Sequence, residues 1–220
     1  MRLEPEHELS TQNSEPRTFP DMKRAFDILV SGMGLVVSTP VWAVIALLIK
    51  LDDGGPVFFT QPRVGRGGHQ FTAYKFRSMV VNAAGFAAHQ AAERDDRITP
   101  VGRVLRATAM DELPQLWNIF RGDMSFVGPR PLMPGEIELA GDGQLVPLEQ
   151  IPGYVQRHAV RPGLTGLTQV FAPRDIPRTR KFRMDLLYVR RANLCLDLRL
   201  VVLSFWITAR GRWEDRGRKV

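Results

Sequence analysis

Two adjacent carboxylates, Asp111 and Glu112, are the side chains in this 220-residue sequence whose type and placement best suit chemistry. They stand directly before Leu113 and Pro114, and proline is tolerated in the first turn of a helix. The pair is therefore expected at a helix N-terminus, where acidic side chains could simply cap the helix and complement its dipole. By itself, the pair leaves the structural and the catalytic interpretations equally open.

Three arginines around this pair favour the catalytic interpretation. Arg103 and Arg106 precede the carboxylates and Arg130 follows them, and guanidinium groups make the planar, bidentate contacts that phosphates favour. One carboxylate could attack phosphorus to give an acyl phosphate, while the other could hold Mg²⁺, which prefers oxygen ligands. The arginines would stabilise the negative charge of the transition state. The cluster is consistent with phosphoryl transfer.

The net positive charge of the chain favours an anionic partner. The chain carries 30 basic and 23 acidic side chains, a net charge of +7, with 44% hydrophobic residues. Such a chain suits a nucleic acid, a phosphate-bearing substrate or a membrane surface. No GxxxxGK[ST], strand-borne GxGxxG or HExxH motif is present, and no basic patch with stacking aromatics indicates nucleic-acid binding. The single cysteine, Cys195, excludes an intramolecular disulfide and a multi-cysteine zinc site and favours a reducing compartment.

An uncharged apolar run predicts a membrane segment. It covers Ile28–Ile49, 22 residues, which is enough for a helix to cross a hydrocarbon layer of roughly 30 Å. A buried core helix is the alternative; a cleavable signal peptide is disfavoured because the run starts late and is too long. Pro40, with Ser38 and Thr39 before it, should break or kink the helix. Basic residues on both flanks favour a re-entrant helix–break–helix over a kinked span.

The remaining chain predicts an α+β, mostly helical fold. The sequence divides into a flexible tail (1–20), a re-entrant membrane helix (21–51), a cytosolic domain (52–209) and a basic tail suited to anionic headgroups (210–220). Within the domain we expect a β-hairpin (Val57–Gln61 and Gln70–Phe76), helices over 83–92, 99–120 and 177–191, loops over 122–135 and 141–153, and a core or interfacial helix over 194–207.

Several long stretches, in order from about residue 23 to 207, resemble the bacterial sugar transferases, the monotopic phosphoglycosyl transferases that load a sugar phosphate onto a polyprenyl phosphate. The matching stretches are KRAFDI (23–28), STP (38–40), GGPVFFTQPRVGRGGHQFTAYKFRSM (54–79), DDRITPVGRVLRATAMDELPQLWNIFRGDMSFVGPRP (95–131), VRPGLTGLTQV (160–170) and FRMDLLYVRRANLCLDLRLVV (182–202).

This resemblance implies an activity. Asp111 would attack the β-phosphorus of a UDP-sugar, releasing UMP and leaving a phosphosugar on its carboxylate, and Glu112 would bind Mg²⁺ as the cofactor. Polyprenyl (undecaprenyl) phosphate would then attack the intermediate, which initiates exopolysaccharide, capsule, O-antigen or glycoprotein glycan assembly. The family's hydrophobic segment is re-entrant, so the chain would sit among lipids of the bacterial inner membrane, with its catalytic domain on the cytoplasmic face.

The resemblance also implies a set of residues that line the phosphate site: Lys75, Arg106, Arg130, Asp185, and the turn formed by Arg161 and Pro162. Three of these residues also have a plainer interpretation. Lys75 could be a charge at a strand edge, and Arg161 could support its own turn. Asp185 could pair with a neighbouring arginine along a helix surface.

Departures from the family pattern bear on specificity. Thr39-Pro40 replaces the usual Ser-Pro pair, Met110 replaces a leucine, and the segment 171–181 diverges most. Because variable loops are expected to recognise the sugar, its identity stays open, as does a homo-oligomeric state. The chain resembles the minimal catalytic form of the family. A non-catalytic membrane adaptor of polysaccharide assembly is the competing hypothesis, and a nucleic-acid binder is disfavoured.

Overall fold

The computed structural model describes residues 20–80, 96–139, 143–173 and 176–210. The predicted α+β, mostly helical class is confirmed. The helices are α1 (Pro20–Asp53), α2 (Pro100–Ala107), α3 (Gln115–Arg121), α4 (Tyr154–Arg157), α5 (Leu167–Phe171), α6 (Arg178–Arg191) and α7 (Leu194–Ala209). The strands are β1 (Phe58–Val64), β2 (Gln70–Phe76), β3 (Ser125–Val127), β4 (Ile137–Leu139), β5 (Leu145–Pro147) and β6 (Gly163–Thr165). The predicted helix 83–92, the tail 1–19 and residues 211–220 of the basic tail lie outside the described residues.

The long apolar helix α1 is continuous, so the predicted interruption at Ser38-Thr39-Pro40 is not seen. Proline removes only one intrahelical hydrogen bond, and the neighbouring hydroxyls bond back to the helix. Thr39 Oγ1 donates to the Leu35 carbonyl at 2.9 Å and Ser38 Oγ donates to the same carbonyl at 3.4 Å. The helical backbone therefore passes through the proline.

One face of α1 packs on the rest of the protein along its whole length. Asp27, Ser31, Ile45 and Ile49 are buried on this face. The opposite face exposes large apolar side chains at helical spacing: Leu29, Met33, Val36, Val37, Val44, Leu47 and Leu51. Within the described part of the chain, α1 is the one helix long and apolar enough to cross a membrane.

The predicted hairpin is confirmed and is longer than expected. β1 and β2 pair antiparallel with Phe58 opposite Phe76 and Phe59 opposite Lys75. Trp42 of α1 contacts the rings of Phe58 and Phe76 edge-on, with ring centroids 6.0 and 5.3 Å away. This aromatic cluster joins a core with Ile45, Ile49 and Leu105, so the hairpin is fixed to the C-terminal half of α1.

A short parallel pair, β3 with β6, forms the centre of the second half. Ser125 pairs with Gly163 and Val127 with Thr165, and the surrounding core includes Tyr188. The predicted loop 122–135 therefore contains β3, and the predicted loop 141–153 contains β5, because three-residue strands are too short for a periodicity to reveal them.

Helix α7 confirms the apolar helix predicted over 194–207 and combines its two interpretations. Leu200 and Ile207 are buried in the core, whereas Val202, Phe205 and Trp206 are exposed. One side of the helix therefore belongs to the core and the other presents an apolar surface.

A polar seam, formed by Lys23 and Asp27 and the groups they bond, joins the start of α1 to β3, α6 and α7. Lys23 Nζ donates to the Val127 carbonyl at 3.0 Å, to Tyr188 Oη at 3.1 Å, and to the Asp197 carboxylate of α7. One turn later, Asp27 Oδ1 accepts from Ser125 Oγ at 3.1 Å. Because these partners come from three distant segments, the seam fixes α1 against the domain.

Candidate active site

The carboxylate pair lies in its own short turn between α2 and α3. Met110–Glu112 form one turn of 3₁₀-helix, and α3 starts three residues later at Gln115. Asp111 and Glu112 are each only 9% exposed. The residue that precedes α3 is Pro114, which makes no side-chain capping bond. The pair is therefore not a conventional cap, and its burial calls for charged partners.

A left-handed residue leads into this turn. Ala109 has φ 55° and ψ 18°, the one non-glycine residue with positive φ in the described part of the chain. It follows Thr108, the last residue capping α2. An alanine costs about 1–2 kcal/mol in this conformation, and the resulting sharp change of direction turns the carboxylate pair away from the axis of α2. No signal in the sequence indicated this role.

Lys75 is the direct partner of Glu112. It projects from β2, and its Nζ lies 2.5 Å from Glu112 Oε1. Burial raises the pKa of the Glu112 carboxyl, but the charges of Lys75, Arg130 and Arg63 outweigh burial and hold it below its usual range. Glu112 is therefore a buried, ionised carboxylate at neutral pH, and the plainer interpretation of Lys75 as a strand-edge charge is wrong.

A small cavity opens beside this ion pair, and its polar wall is mainly cationic. The polar lining side chains are Arg63, Lys75, Glu112, Gln115 and Arg130, and the apolar residues Ala73, Pro131, Gly163 and Leu164 complete the wall. Three cations thus face one carboxylate. An anionic ligand with more than one negative charge would balance this wall. Asp111 lies one residue before Glu112 in the same turn, but it is not one of the lining residues.

Arg63 was not among the predicted site residues. Its Nη1 donates to the Pro131 carbonyl at 3.1 Å and its Nη2 to Gln61 Oε1 at 2.6 Å. Burial and the nearby charge of Arg130 lower its pKa to about 10, so it remains a cation at neutral pH. The register of the hairpin is the feature that could have identified Arg63 as a site residue. Gln61 pairs with Ala73 and Phe59 with Lys75, which places Arg63 and Lys75 on the same face.

Three other predicted residues do not line the cavity. Arg106 is half-buried in the last turn of α2. Arg161 donates through Nε to the Gly122 carbonyl at 3.0 Å, at the C-terminus of α3. Its neighbouring charges are Arg24, Arg66 and Asp27. Pro162 is buried and its carbonyl accepts from the backbone of β3. Arg161 therefore neither lines the cavity nor bonds within its own turn through this nitrogen; it ties that turn to the C-terminus of α3, 39 residues earlier in the chain.

Asp185 is also outside the cavity. Its side chain is buried on α6, with Oδ2 accepting from Arg157 Nε at 2.9 Å and Oδ1 accepting from Thr168 Oγ1 at 2.5 Å. The expected pairing with an arginine of its own helix surface is not seen. Its partner is Arg157 from α4, 28 residues earlier in the chain. Because the two residues are 28 positions apart and belong to different helices, no local sequence pattern predicts this contact.

The carboxylate pair has donors suited to a hard divalent cation. No group of three or more metal-ligating side chains occurs among the described residues. Mg²⁺ nevertheless needs only one or two carboxylates when substrate phosphates and water complete its shell, and ionised Glu112 supplies one. Lys75 already neutralises this carboxylate, so a cation fits only together with an anionic ligand that adds negative charge to the wall. The residues therefore fit a magnesium ion only where a phosphate-bearing ligand would complete its shell.

Comparisons with known proteins point to one family. The model of the bacterial sugar transferase family matches residues 18–211. An undecaprenyl-phosphate glucose phosphotransferase of Komagataeibacter xylinus is 42% identical over 188 residues, 83% of this chain and 35% of that protein. The exopolysaccharide production protein PSS of Rhizobium leguminosarum bv. phaseoli is 44% identical over 188 residues, 82% of this chain and 91% of that protein.

A third relative has a different sugar in its name. The UDP-N-acetylgalactosamine-undecaprenyl-phosphate N-acetylgalactosaminephosphotransferase of Aeromonas hydrophila is 40% identical over 183 residues, 82% of this chain. The chain spans 35% and 42% of the lengths of the Komagataeibacter and Aeromonas proteins. The names of these two proteins therefore agree on the type of reaction and the acceptor but differ in the sugar.

Proposed function

The chain belongs to the bacterial sugar transferase family, and from this premise we propose that it transfers a sugar 1-phosphate from a UDP-sugar to undecaprenyl phosphate and releases UMP. The observation that carries the proposal is the cavity beside Glu112, where Arg63, Lys75 and Arg130 face one ionised carboxylate. A nucleoside diphosphate sugar supplies the negative charge that this wall lacks.

In the first half of the proposed reaction, a carboxylate oxygen of Asp111 attacks the β-phosphorus of the donor. The bond from that phosphorus to the oxygen bridging the two phosphates breaks, and this oxygen leaves on UMP with its electron pair. The cations of the cavity stabilise the charge that develops on the phosphoryl oxygens. The product is a phosphosugar bound to Asp111 through an acyl phosphate.

In the second half, an oxygen of undecaprenyl phosphate attacks the same phosphorus. The bond to the Asp111 oxygen breaks, so the carboxylate is regenerated and the product is undecaprenyl diphosphate sugar. The same three cations serve this step because the charge again develops on the phosphoryl oxygens. Splitting the transfer into two displacements lets one carboxylate serve both substrates.

Glu112, with Lys75 beside it, is the proposed residue for holding Mg²⁺ together with the donor's phosphates. The ion would supply charge neutralisation at the phosphoryl oxygens. Lys75 keeps Glu112 ionised in the absence of a ligand. The arginines hold the diphosphate in place.

The packing of α1 supports attachment to one side of the membrane. Lys23 contacts α7 near one end of the helix, and Ile49 joins the hairpin core near the other end. These residues are roughly 39 Å apart along the axis at 1.5 Å per residue, more than the roughly 30 Å of the hydrocarbon layer. A perpendicular span would bring the contacting domain into hydrocarbon.

We therefore propose that α1 lies along the cytoplasmic face of the inner membrane as one continuous helix, with its exposed apolar side in the lipid and both of its ends, like the domain, on that face. The exposed apolar side of α1 and the exposed face of α7 at Val202, Phe205 and Trp206 supply the surfaces that would meet lipid. The donor, a nucleotide sugar, is water-soluble and reaches the cavity from the cytoplasm, whereas the acceptor arrives through the bilayer. The proposed reaction would initiate an exopolysaccharide or a related glycan.

A direct test uses the detergent-purified chain with undecaprenyl phosphate, Mg²⁺ and a panel of UDP-sugars. We expect UMP release with at least one donor and its loss in Asp111→Asn. Folded protein that releases no UMP with any donor would favour the non-catalytic adaptor. Full activity in Asp111→Asn would refute the assignment of the nucleophile while leaving the reaction in place.

A further inference from the structure

In the loop that carries Arg130 to the cavity, every backbone carbonyl accepts a hydrogen bond from another part of the protein. Residues 128–132 follow β3 outside any helix or strand, and two of them, Pro129 and Pro131, have no N–H to donate. Their carbonyls accept from five different residues: Gly128 from Gln169 Nε2 (3.3 Å), Pro129 from Gly163 N (3.0 Å), Arg130 from Arg157 Nη2 (2.7 Å), Pro131 from Arg63 Nη1 (3.1 Å) and Leu132 from Val64 N (2.9 Å).

The bond to Arg130 comes from a buried cation. The Arg157 side chain is only 2% exposed, and its guanidinium lies 4.8 Å from the centre of the Phe182 ring. Its Nε donates to Asp185 and its Nη1 to His158 Nε2, at 3.1 Å. Because a buried charge is costly unless it is paired and hydrogen-bonded, this arrangement depends on Asp185.

Asp185 does not line the cavity, but hydrogen bonds through Arg157 connect it to Arg130. Its two carboxylate oxygens bond Arg157 and Thr168, so it sets the direction of the Arg157 guanidinium. The Nη2 of the same guanidinium donates to the Arg130 carbonyl at 2.7 Å. The chain of contacts therefore runs from α6, through α4, to the loop that presents Arg130.

We propose that Arg157 and Asp185 are positioning residues that fix Arg130 against the diphosphate of the donor. This inference rests on the proposed function for what Arg130 binds, and on the hydrogen bonds above for how Arg130 is held. Bidentate recognition of a phosphate requires the guanidinium to be placed within about 0.5 Å. A loop without helical or strand hydrogen bonds needs external partners to reach that precision.

The first test is a double-mutant cycle read by UMP release. Asp185→Asn and Arg130→Met are each expected to lower kcat/KM for the UDP-sugar by about 100-fold. If Asp185 acts through Arg130, the double variant should stay within about threefold of Arg130→Met alone. Losses that multiply in the double variant would overturn the proposal, since a general effect on folding lowers activity by the same factor in both backgrounds.

The second test needs no activity. Amide hydrogen exchange of the segment 125–135 should quicken in the charge-free double variant R157M/D185N, while α2 keeps the exchange of the wild type. Arg157→Lys keeps the buried charge pair but lacks the second nitrogen that reaches the loop, so it should fold and show the same change. Arg190→Met, on the exposed face of the same helix as Asp185, is the matched control and should change nothing.

The two tests separate this proposal from the proposed function. Faster exchange in a protein that never releases UMP would refute the transferase activity and uphold the positioning of the loop. Normal exchange in both R157M/D185N and Arg157→Lys would overturn the positioning role, whatever the activity of the wild type.

Discussion

The Lys75 ammonium lies 2.5 Å from a carboxylate oxygen of Glu112, and both side chains are largely withdrawn from water. A strand of the hairpin thereby supplies the counter-charge for a turn 37 residues later in the chain. The contact gives the carboxylate pair a defined ionisation state, and several predictions about the site depend on it.

Replacing Lys75 should change both the rate of UMP release and its pH dependence. In Lys75→Met, Glu112 loses the largest of the attractions that keep its pKa low, so the acid limb of kcat/KM should move to higher pH. The loss of a cation beside the phosphoryl group should lower kcat/KM by about 100- to 1,000-fold.

Lys75→Arg should recover part of the rate, and Lys50→Met at the exposed end of α1 is the matched control. An unchanged acid limb in Lys75→Met would contradict the role of this ion pair in the ionisation of Glu112. The measurement is UMP release across pH 4–8 at saturating Mg²⁺.

The two-step reaction predicts a covalent intermediate. With a UDP-sugar labelled in the sugar and no acceptor, about one equivalent of UMP should be released per protein, and the label should stay on the chain. Added undecaprenyl phosphate should then remove the label. Asp111→Asn should give neither the burst nor the label, whereas a burst without bound label would argue for direct transfer between the two substrates.

Stability should fall in mild acid because of His158. Burial and the charge of Arg157 lower the pKa of this imidazole to about 4, from 6.5. The folded state therefore holds a neutral ring, which accepts from Arg157 through Nε2 while Nδ1 donates to the Tyr154 carbonyl at 2.8 Å. The unfolded chain binds the proton more readily, so this contribution is full above pH 6.5 and is lost as the pH falls towards 4.

The expected loss is about 3 kcal/mol across that window. Chemical denaturation at pH 7.5 and pH 4.5 should show a larger decrease in unfolding free energy for the wild type than for His158→Gln, which cannot titrate. Equal decreases in the two proteins would show that the imidazole is not held neutral in the fold.

The left-handed residue before the carboxylate pair gives a prediction about backbone strain. Ala109→Gly should stabilise the fold by up to about 1 kcal/mol, because glycine adopts a positive φ without the steric cost of a Cβ. Ala109→Val should destabilise it by about 2 kcal/mol or more and lower activity, since a β-branched residue tolerates this conformation poorly. Thermal unfolding checks both variants, and a stable, fully active Ala109→Val protein would contradict the strained turn.

Cysteine labelling tests the one-sided attachment of α1. The exposed Cys195 is first replaced by serine, and single cysteines are then placed at Met22, Val36 and Asp52. The two outer positions should react with an impermeant maleimide from the cytoplasmic side, and position 36, on the apolar face, should be shielded. Reaction of positions 22 and 52 from opposite sides would establish a span instead.

The sequence predicted those parts of the site that lie within one motif or one hairpin. Asp111 and Glu112 stand out by type, and Lys75 follows from the motif in β2. The resemblance assigns Asp185 and Arg161 to the phosphate site, because a motif does not distinguish a side chain that contacts the ligand from one that holds another residue in place. Their partners, Arg157 and the Gly122 carbonyl, come from other elements, so only tertiary packing reveals them.

Tertiary packing also explains why α1 is continuous although the sequence predicts an interruption. Pro40 is a correct local signal for a weakened helix, yet contacts on both sides of it hold the two halves against the same domain. Phe120 lies 3.3 Å from the position a Cβ would take on Gly32, before the proline. After the proline, the ring of Trp42 contacts the ring of Phe76 edge-on. Local propensity is overridden where packing on each side of a weak point is extensive.

The polar seam at the start of α1 also constrains the order of events during synthesis. Lys23 is made 174 residues before Asp197, so the apolar helix leaves the ribosome long before the acid that receives its ammonium exists. Until α7 is complete, the helix lacks its seat on the domain, and the nascent chain exposes apolar surface that either the bilayer or a chaperone must shield. Shielding of this apolar surface during translation thus becomes a condition for productive folding, since α7 closes the domain around the start of α1.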